Sequence, residues 1–331
     1  MDLEAFVAAH APEWERMDAL ARRSRRLNGA EADELVSLYR RASTHLSMIR
    51  SSAPDPALLG RLSRQVAAAR VSITGTRSTG MPEIVRFITV TFPAAVYVNR
   101  RWWVITAVVW ALVATAITWW VAVNPSVQAS IAAPEDIRQL VEEDFENYYS
   151  ENPATSFAAR VWTNNAWVAA ACLLLGVFLG LPVVYILFQN ALNIAVSAGL
   201  MAAAGRLDVF FGLITPHGLL ELTAVFVAAG AGLRLGWTVV DPGARTRADA
   251  LAIAGRSAVG IAIGLVGVLL VSGVIEAFVT PSGLPTWARI GIGVLAEVAF
   301  LGYVWVLGGR AARSGEVGDV ESAADVRPVS A

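Results

Sequence analysis

The sequence predicts an all-α membrane protein: a bundle of about six transmembrane helices preceded by an N-terminal cytoplasmic helical domain. Three observations predict it. Of the 331 residues, 56% are hydrophobic and only 16% charged, and the mean hydropathy is +0.55, which excludes an ordinary soluble domain. Apolar runs follow one another from Trp102 to Leu307, most of them near the roughly 20 residues that cross a bilayer. Charge is segregated: residues 1–101 hold 15 Arg against 10 acidic residues, whereas residues 124–161 hold 2 Arg against 7. The formal net charge of −1 conceals that asymmetry. All 26 basic residues are Arg, a bias we ascribe to coding composition rather than to mechanism.

Residues 1–80 are expected to form the cytoplasmic domain. Leu3, Phe6, Val7, Trp14, Met17 and Leu20 recur at helical spacing until Asn28-Gly29 breaks the pattern. A second helix is expected from Ala30 to about Ser51, and a third from Asp55 to about Ile73, entered through Pro54-Asp55-Pro56. The run Arg22-Arg23-Ser24-Arg25-Arg26 reads as a solvated helix end near anionic lipid, not as a nucleic-acid patch. His10 and His45 have no obvious partners, and no cleavable signal peptide precedes this charged start.

Residues 81–101 are expected to form an interfacial amphipathic helix and elbow, with Ile84, Phe87, Ile88 and Phe92 on one face before Pro93. The first span follows from Trp102 to about Val123, with Trp pairs at both ends as an aromatic belt. An acidic loop covers 124–160, with a helix from Pro134 to Tyr149 whose acids match no calcium-loop spacing. Arginines before the first span and acids after it put the N-terminal domain in the cytoplasm and this loop outside, by the positive-inside rule.

The apolar stretch 161–204 is too long for one helix, and Gly180-Leu181-Pro182 offers the turn that divides it. Gly176 and Gly180 give a GxxxG spacing suited to close helix approach. Gln189, Asn190 and Asn193 are expected to hydrogen-bond between helices, and a re-entrant path for 182–204 is the alternative. The fourth span ends near Val240 and carries Gly232 and Gly236. A fifth covers 257–279, with Gly260, Gly264 and Gly267 as a packing face, and a sixth covers about 287–307. The membrane domain is therefore 102–309, both termini are cytoplasmic, and 310–331 is expected to be a disordered tail. Cys172, the single cysteine, excludes an intrachain disulfide and any Cys-based metal site.

Thr215-Pro216-His217-Gly218-Leu219-Leu220-Glu221-Leu222 puts a histidine and a carboxylate at the head of the fourth span, with Pro216 read as a first-turn residue. His217 and Glu221, at i and i+4, share one helix face. Ionisable groups in a span are costly and mark a functional-site hypothesis. At about 1.5 Å per residue Glu221 lies on the order of 12 Å below the outer edge. Glu276, Glu297, Asn165 and Asn193 fall at depths from which they can converge with His217 and Glu221 on one polar cluster. The sequence carries no HExxH, GxSxG or paired-aspartate motif, so neither catalytic residues nor a metal or cofactor are expected, and His217 as the lone membrane histidine would need an unusual ligand set to hold zinc.

These residues resemble the stage II sporulation protein M family over roughly residues 80–310. The resemblance is carried by the Phe92-Pro93 elbow, the Asn164-Asn165 pair, Gly176 to Gly180, Asn190 and above all Pro216, His217, Gly218 and Glu221. The N-terminal domain and the Arg-only composition look like its actinobacterial branch. The resemblance implies a polytopic membrane protein without enzymatic activity that gathers peptidoglycan-degrading partners, and in other branches one associated with a MoxR-type AAA ATPase. The expected function is thus a cell-envelope scaffold in the bacterial inner membrane, with the lipid bilayer and cell-envelope proteins as partners and homo-oligomerisation open. A proton- or ion-linked transporter using the His/Glu cluster is the alternative, and an intramembrane hydrolase a third.

Overall fold

The computed structural model describes residues 3–23, 27–52, 55–74, 81–144 and 154–318, and every regular element among them is helical. The chain divides into two compact units, residues 1–83 and 84–331.

The first unit is a three-helix domain: α1 (Leu3–Arg22), α2 (Gly29–Ser52) and α3 (Pro56–Thr74). Asn28 starts α2 as a capping box: its Oδ1 accepts from the Glu31 amide at 2.9 Å, and its own amide donates to Glu31 Oε2 at 3.1 Å. Asp55 caps α3, accepting from the Ala57 amide at 2.8 Å. Trp14, Met17, Leu20, Ile49 and Leu62 are fully buried at the centre, each stabilising a water-exposed domain by about 1.5–3 kcal/mol. Residues 24–26 of the arginine run and Pro54 lie outside the described residues.

The boundary falls within α4 (Met81–Arg86), and the second unit continues through a π-helical turn (Phe87–Thr91) and α5 (Phe92–Val98). The stretch expected as an interfacial helix and elbow is exposed only in its first part. Ile84, Val85 and Ile88 are exposed, but Phe92, Ala94, Ala95 and Val96 are buried. Their immediate cause is two glycines: a Cβ on Gly264 would meet the Phe92 ring at 2.0 Å, and one on Gly308 the Pro93 carbonyl oxygen at 2.1 Å. The elbow is a wedge held in the bundle, and the Tyr303 hydroxyl donates to the Ile88 carbonyl beside it.

The bundle itself comprises α6 (Arg100–Val123), α9 (Ala154–Leu175), α10 (Leu181–Ala203), α11 (Leu207–Val240), α12 (Arg247–Val274) and α13 (Thr286–Tyr303). Between α6 and α9 lie two short helices, α7 (Pro125–Ile131) and α8 (Pro134–Gln139). A π turn at Ile275–Val279 extends α12, and another at Val304–Gly308 leads from α13 into α14 (Gly309–Arg313).

Pairwise contacts fix the relative directions. Trp103 meets Gly230 and Trp110 meets Phe226, so α6 and α11 are antiparallel. Thr118 donates to the Ala195 carbonyl and Val121 abuts Gly199, so α10 runs with α6. Cys172 meets Gly232 and Gly176 meets Gly236, so α9 runs with α11. Arg247 donates to the Val239 carbonyl at one end while His217 faces Thr280 at the other, so α12 opposes α11. Thr286 meets Gly212 and Glu297 meets Thr223, so α13 runs with α11. Successive bundle helices therefore alternate in direction.

Among the described residues, five helices, Arg100–Val123, Leu181–Ala203, Leu207–Val240, Arg247–Val279 and Thr286–Arg313, are long and apolar enough to cross a membrane. Ala154–Leu175, where the second span was expected, is not among them; Asn164 and Asn165 lower its hydropathy. Leu181–Ala203 is one uninterrupted helix, with no break of the re-entrant kind.

Other boundaries differ from expectation. The α9–α10 turn occupies residues 176–180, and Gly180 takes φ +73°, a left-handed conformation that favours glycine. In the acidic loop α8 passes directly into a π turn at Leu140–Asp144, and the rest of the helix expected to Tyr149 lies outside the described residues. Val141 is buried against Val121, Met201 and Phe210, and Arg206 donates to its carbonyl at 2.7 Å. Residues 310–318, expected in a disordered tail, hold the end of α14, a Glu316–Arg86 ion pair at 2.7 Å and a buried Gly318; residues 319–331 lie outside the described residues.

Candidate functional site

Pro216 is not a first-turn residue. It lies inside α11, which begins at Leu207, nine residues before the proline, with Asp208 supporting the helix start from the first turn. A proline there has no N–H for the Gly212 carbonyl and crowds that turn. Neighbouring small residues admit the crowded backbone: a Cβ on Gly293 would stand 2.3 Å from the Pro216 carbonyl oxygen.

The next residue, His217, is 6% exposed. Its Nδ1 lies 3.2 Å from Thr280 Oγ1, and its Nε2 lies 3.6 Å from Glu276 Oε1. Glu276 is 3% exposed and sits in the π turn Ile275–Val279, whose wider winding re-aims a side chain relative to the α-helix before it. Its second oxygen, Oε2, is buried without a hydrogen-bond partner. Glu221, half-buried, is hydrogen-bonded by the Asn165 side chain from α9. Ser272 donates to the His217 carbonyl at 3.0 Å and lies 3.5 Å from Glu221 Oε2; its single proton favours the shorter contact. The imidazole nitrogen and the two carboxylates each offer an atom within 4.8 Å of the other two.

The structure thus brings together four of the six expected cluster residues: His217, Glu221, Glu276 and Asn165. Glu297 is held apart, accepting from the Thr223 hydroxyl at 2.8 Å, with its other oxygen buried and unpartnered. Asn193 does not join: it is exposed on α10. Gln189, expected to bridge helices, instead donates to Tyr185 of its own helix at 3.1 Å, and the Asn190 Oδ1 is buried without a partner. The reason is rotational: the face of α10 that packs on α6 is Ala191, Ala195 and Gly199, leaving Tyr185, Gln189 and Asn193 on the outer side.

The expected packing glycines divide similarly. Gly176, Gly180, Gly232 and Gly236 form one contact, in which a Cβ on Gly236 would lie 2.5 Å from the Gly180 nitrogen and 2.6 Å from the Gly176 oxygen. Gly260 is buried and Gly264 receives the Phe92 ring, but Gly267 has nothing within 4 Å. The motif's Gly218 is buried, and a Cβ there would meet Ile214 at 2.9 Å.

Three groups escaped sequence reasoning. Thr280 and Ser272 carry no signal, being ordinary small polar residues until the fold places them beside His217. Arg234, inside the fourth span, did carry one, since a guanidinium in an apolar helix must find an acceptor; it donates to Asn99 Oδ1 at 3.0 Å. In the first unit, His10 and His45 do have partners. Their ring centroids lie 4.1 Å apart, and Trp14 Nε1 donates to His45 Nδ1 at 3.2 Å. Burial, and then His10, lower the pKa of His45.

The family model for stage II sporulation protein M matches residues 107–281, which contain Asn165, His217, Glu221 and Glu276. The chain belongs to that family. The sporulation protein M region ends before Glu297, the carboxylate that the structure also sets apart. A second model, described as a domain of unknown function (DUF8413), matches residues 4–75, the three-helix domain. No curated protein and no solved structure matches the chain. The protein is accordingly a multi-pass membrane member of the stage II sporulation protein M family.

Proposed function

We propose that this protein is a scaffold of a cell-envelope complex, peptidoglycan-remodelling or sporulation-like, with no catalysis of its own. In this reading it lies in the bacterial inner membrane with both termini cytoplasmic, and the three-helix domain and the acidic loop are its docking surfaces. The observation that carries the reading is how the bundle's polar side chains are used. Asn165 on α9, His217, Glu221 and Thr223 on α11, Ser272 on α12, Thr280 after it and Glu297 on α13 are joined across helices at buried or half-buried positions. Such contacts contribute roughly 0.5–2 kcal/mol each inside a membrane and favour a rigid platform. A transport path asks for water at His217 and Glu276, which are 6% and 3% exposed. Tyr185, Gln189 and Asn193, polar and exposed at i, i+4 and i+8 of a membrane helix, support a second copy as a further partner.

Affinity purification of the full chain from native membranes tests this. The expected partners are peptidoglycan hydrolases or a MoxR-type AAA ATPase, recovered with the full chain and lost on deletion of residues 1–83. Flux of protons and ions through proteoliposomes is expected to be unaffected by Glu221→Gln. A flux that Glu221→Gln abolishes, with no partner recovered, would replace the scaffold by the transporter.

A further inference from the structure

We propose that His217, Glu221 and Glu276 bind a divalent transition-metal ion, through the imidazole Nε2 and one oxygen of each carboxylate. Four observations lead there. The three ligand atoms already lie within 4.8 Å of one another. In a tetrahedral site with bonds of about 2.1 Å they would stand roughly 3.4 Å apart, so side-chain rotation of about 1 Å closes the set. The 3.6 Å from His217 Nε2 to Glu276 Oε1 is near that spacing and too long for a hydrogen bond.

Glu276 is the second. It is 97% buried by its 3% exposure, its Oε2 has no hydrogen-bond partner, and its side chain is aimed at His217 and Glu221. A buried carboxylate is normally satisfied by donors or by a cation. Arg289, on α13, turns its two terminal nitrogens to the Thr280 carbonyl at 2.7 Å and the Thr286 hydroxyl at 3.1 Å.

Third, the surroundings orient the ligands as outer partners of metal sites do. Thr280 Oγ1 beside Nδ1 fixes the ring and leaves Nε2 towards the carboxylates, while Asn165 holds Glu221. Fourth, charge balances. Two carboxylates, a neutral imidazole and one divalent ion sum to zero, which removes the repulsion between two neighbouring carboxylates in an apolar bundle. The imidazole nitrogen favours a transition metal such as zinc or iron(II) over calcium or magnesium, and the two carboxylates also admit manganese.

The other His/Glu group, His10, Glu13 and His45, does not make the same case. Trp14 occupies His45 Nδ1, so the neutral ring carries its proton on Nε2, and Glu13 is engaged by Arg41 at 3.4 Å.

Full-length protein, purified in detergent without chelator, is expected to contain about one zinc, iron or manganese ion per chain by elemental analysis. After chelator stripping, Co2+ should restore occupancy and give visible d–d absorption of a nitrogen/oxygen site. Glu276→Gln and His217→Gln should each lower occupancy at least about ten-fold, while Glu297→Gln, a buried carboxylate outside the set, retains the ion. Wild-type protein with neither metal nor Co2+ absorption overturns the proposal, as does equal loss in Glu297→Gln. If the Glu276 or His217 variants do not fold, the wild-type metal content and Co2+ spectrum still decide. Metal content is independent of partner recovery, so this inference and the scaffold reading fail separately.

Discussion

Gly176 and Gly232 bring two helix backbones into direct contact: a Cβ on Gly176 would lie 2.3 Å from the Gly232 carbonyl oxygen. One on Gly232 would lie 2.1 Å from the Cys172 carbonyl oxygen. Both obstacles are backbone, which cannot rotate away. Gly232→Ala is therefore expected to push α9 from α11 and destabilise the bundle by about 1–3 kcal/mol. Gly267→Ala, with nothing within 4 Å, is the control and should be neutral or slightly stabilising in a helix. Thermal unfolding in detergent compares them, and equal midpoints would refute the contact.

Arg234 should be coupled to Asn99. Asn99 is 2% exposed, accepts from Arg234 and donates its amide to the Ala95 carbonyl at 2.8 Å. Asn99→Leu leaves the guanidinium without this acceptor and should cost about 1–3 kcal/mol. Arg234→Met added to it should cost less than the sum of the two single changes, a coupling of about 0.5–3 kcal/mol. Strict additivity in unfolding experiments would show that the pair contributes nothing.

The three-helix domain should weaken in mild acid. The pKa of His45 is lowered by burial and by His10, so the unfolded chain takes up that proton before the folded one does. Stability from this group is complete above the ordinary histidine value of about 6.5 and is lost as pH falls below it. Amide protection across α2 in the full chain, corrected for intrinsic exchange, is expected to drop between about pH 7.5 and 5. His45→Gln, which can still accept from Trp14, should flatten the profile. Protection that rises in acid would mean the sign is wrong.

Absolute orientation is testable because the only native cysteine, Cys172, is buried. Ser130 and Ser51 are both exposed. Ser130→Cys should react with an impermeant thiol reagent on intact cells, and Ser51→Cys only after permeabilisation. The opposite pattern would invert the arrangement.

Much of the architecture was legible because lipid and water impose different composition over lengths of about 20 residues. The three-helix domain could be read from its periodic apolar residues and from Asn28 and Asp55, which cap helices by purely local bonds. The site was legible only in part. His217, Glu221, Glu276 and Asn165 stand out in the sequence as polar groups in apolar surroundings, and they do converge. Asn193 stands out equally and does not, because helical rotation, not hydrophobicity, decides which face of α10 meets α6.

By itself, then, the sequence determined the helical class, the separate N-terminal domain and the oddity of a histidine and carboxylates in apolar runs. Those are properties of local composition and spacing. Only the tertiary structure decided that the Phe92 wedge is buried, that Gly176 and Gly180 pair with Gly232 and Gly236, and that Thr280 and Ser272 complete the surroundings of His217. These depend on distances between residues far apart in the chain, set by how closely glycines let backbones approach and by how a π turn aims Glu276.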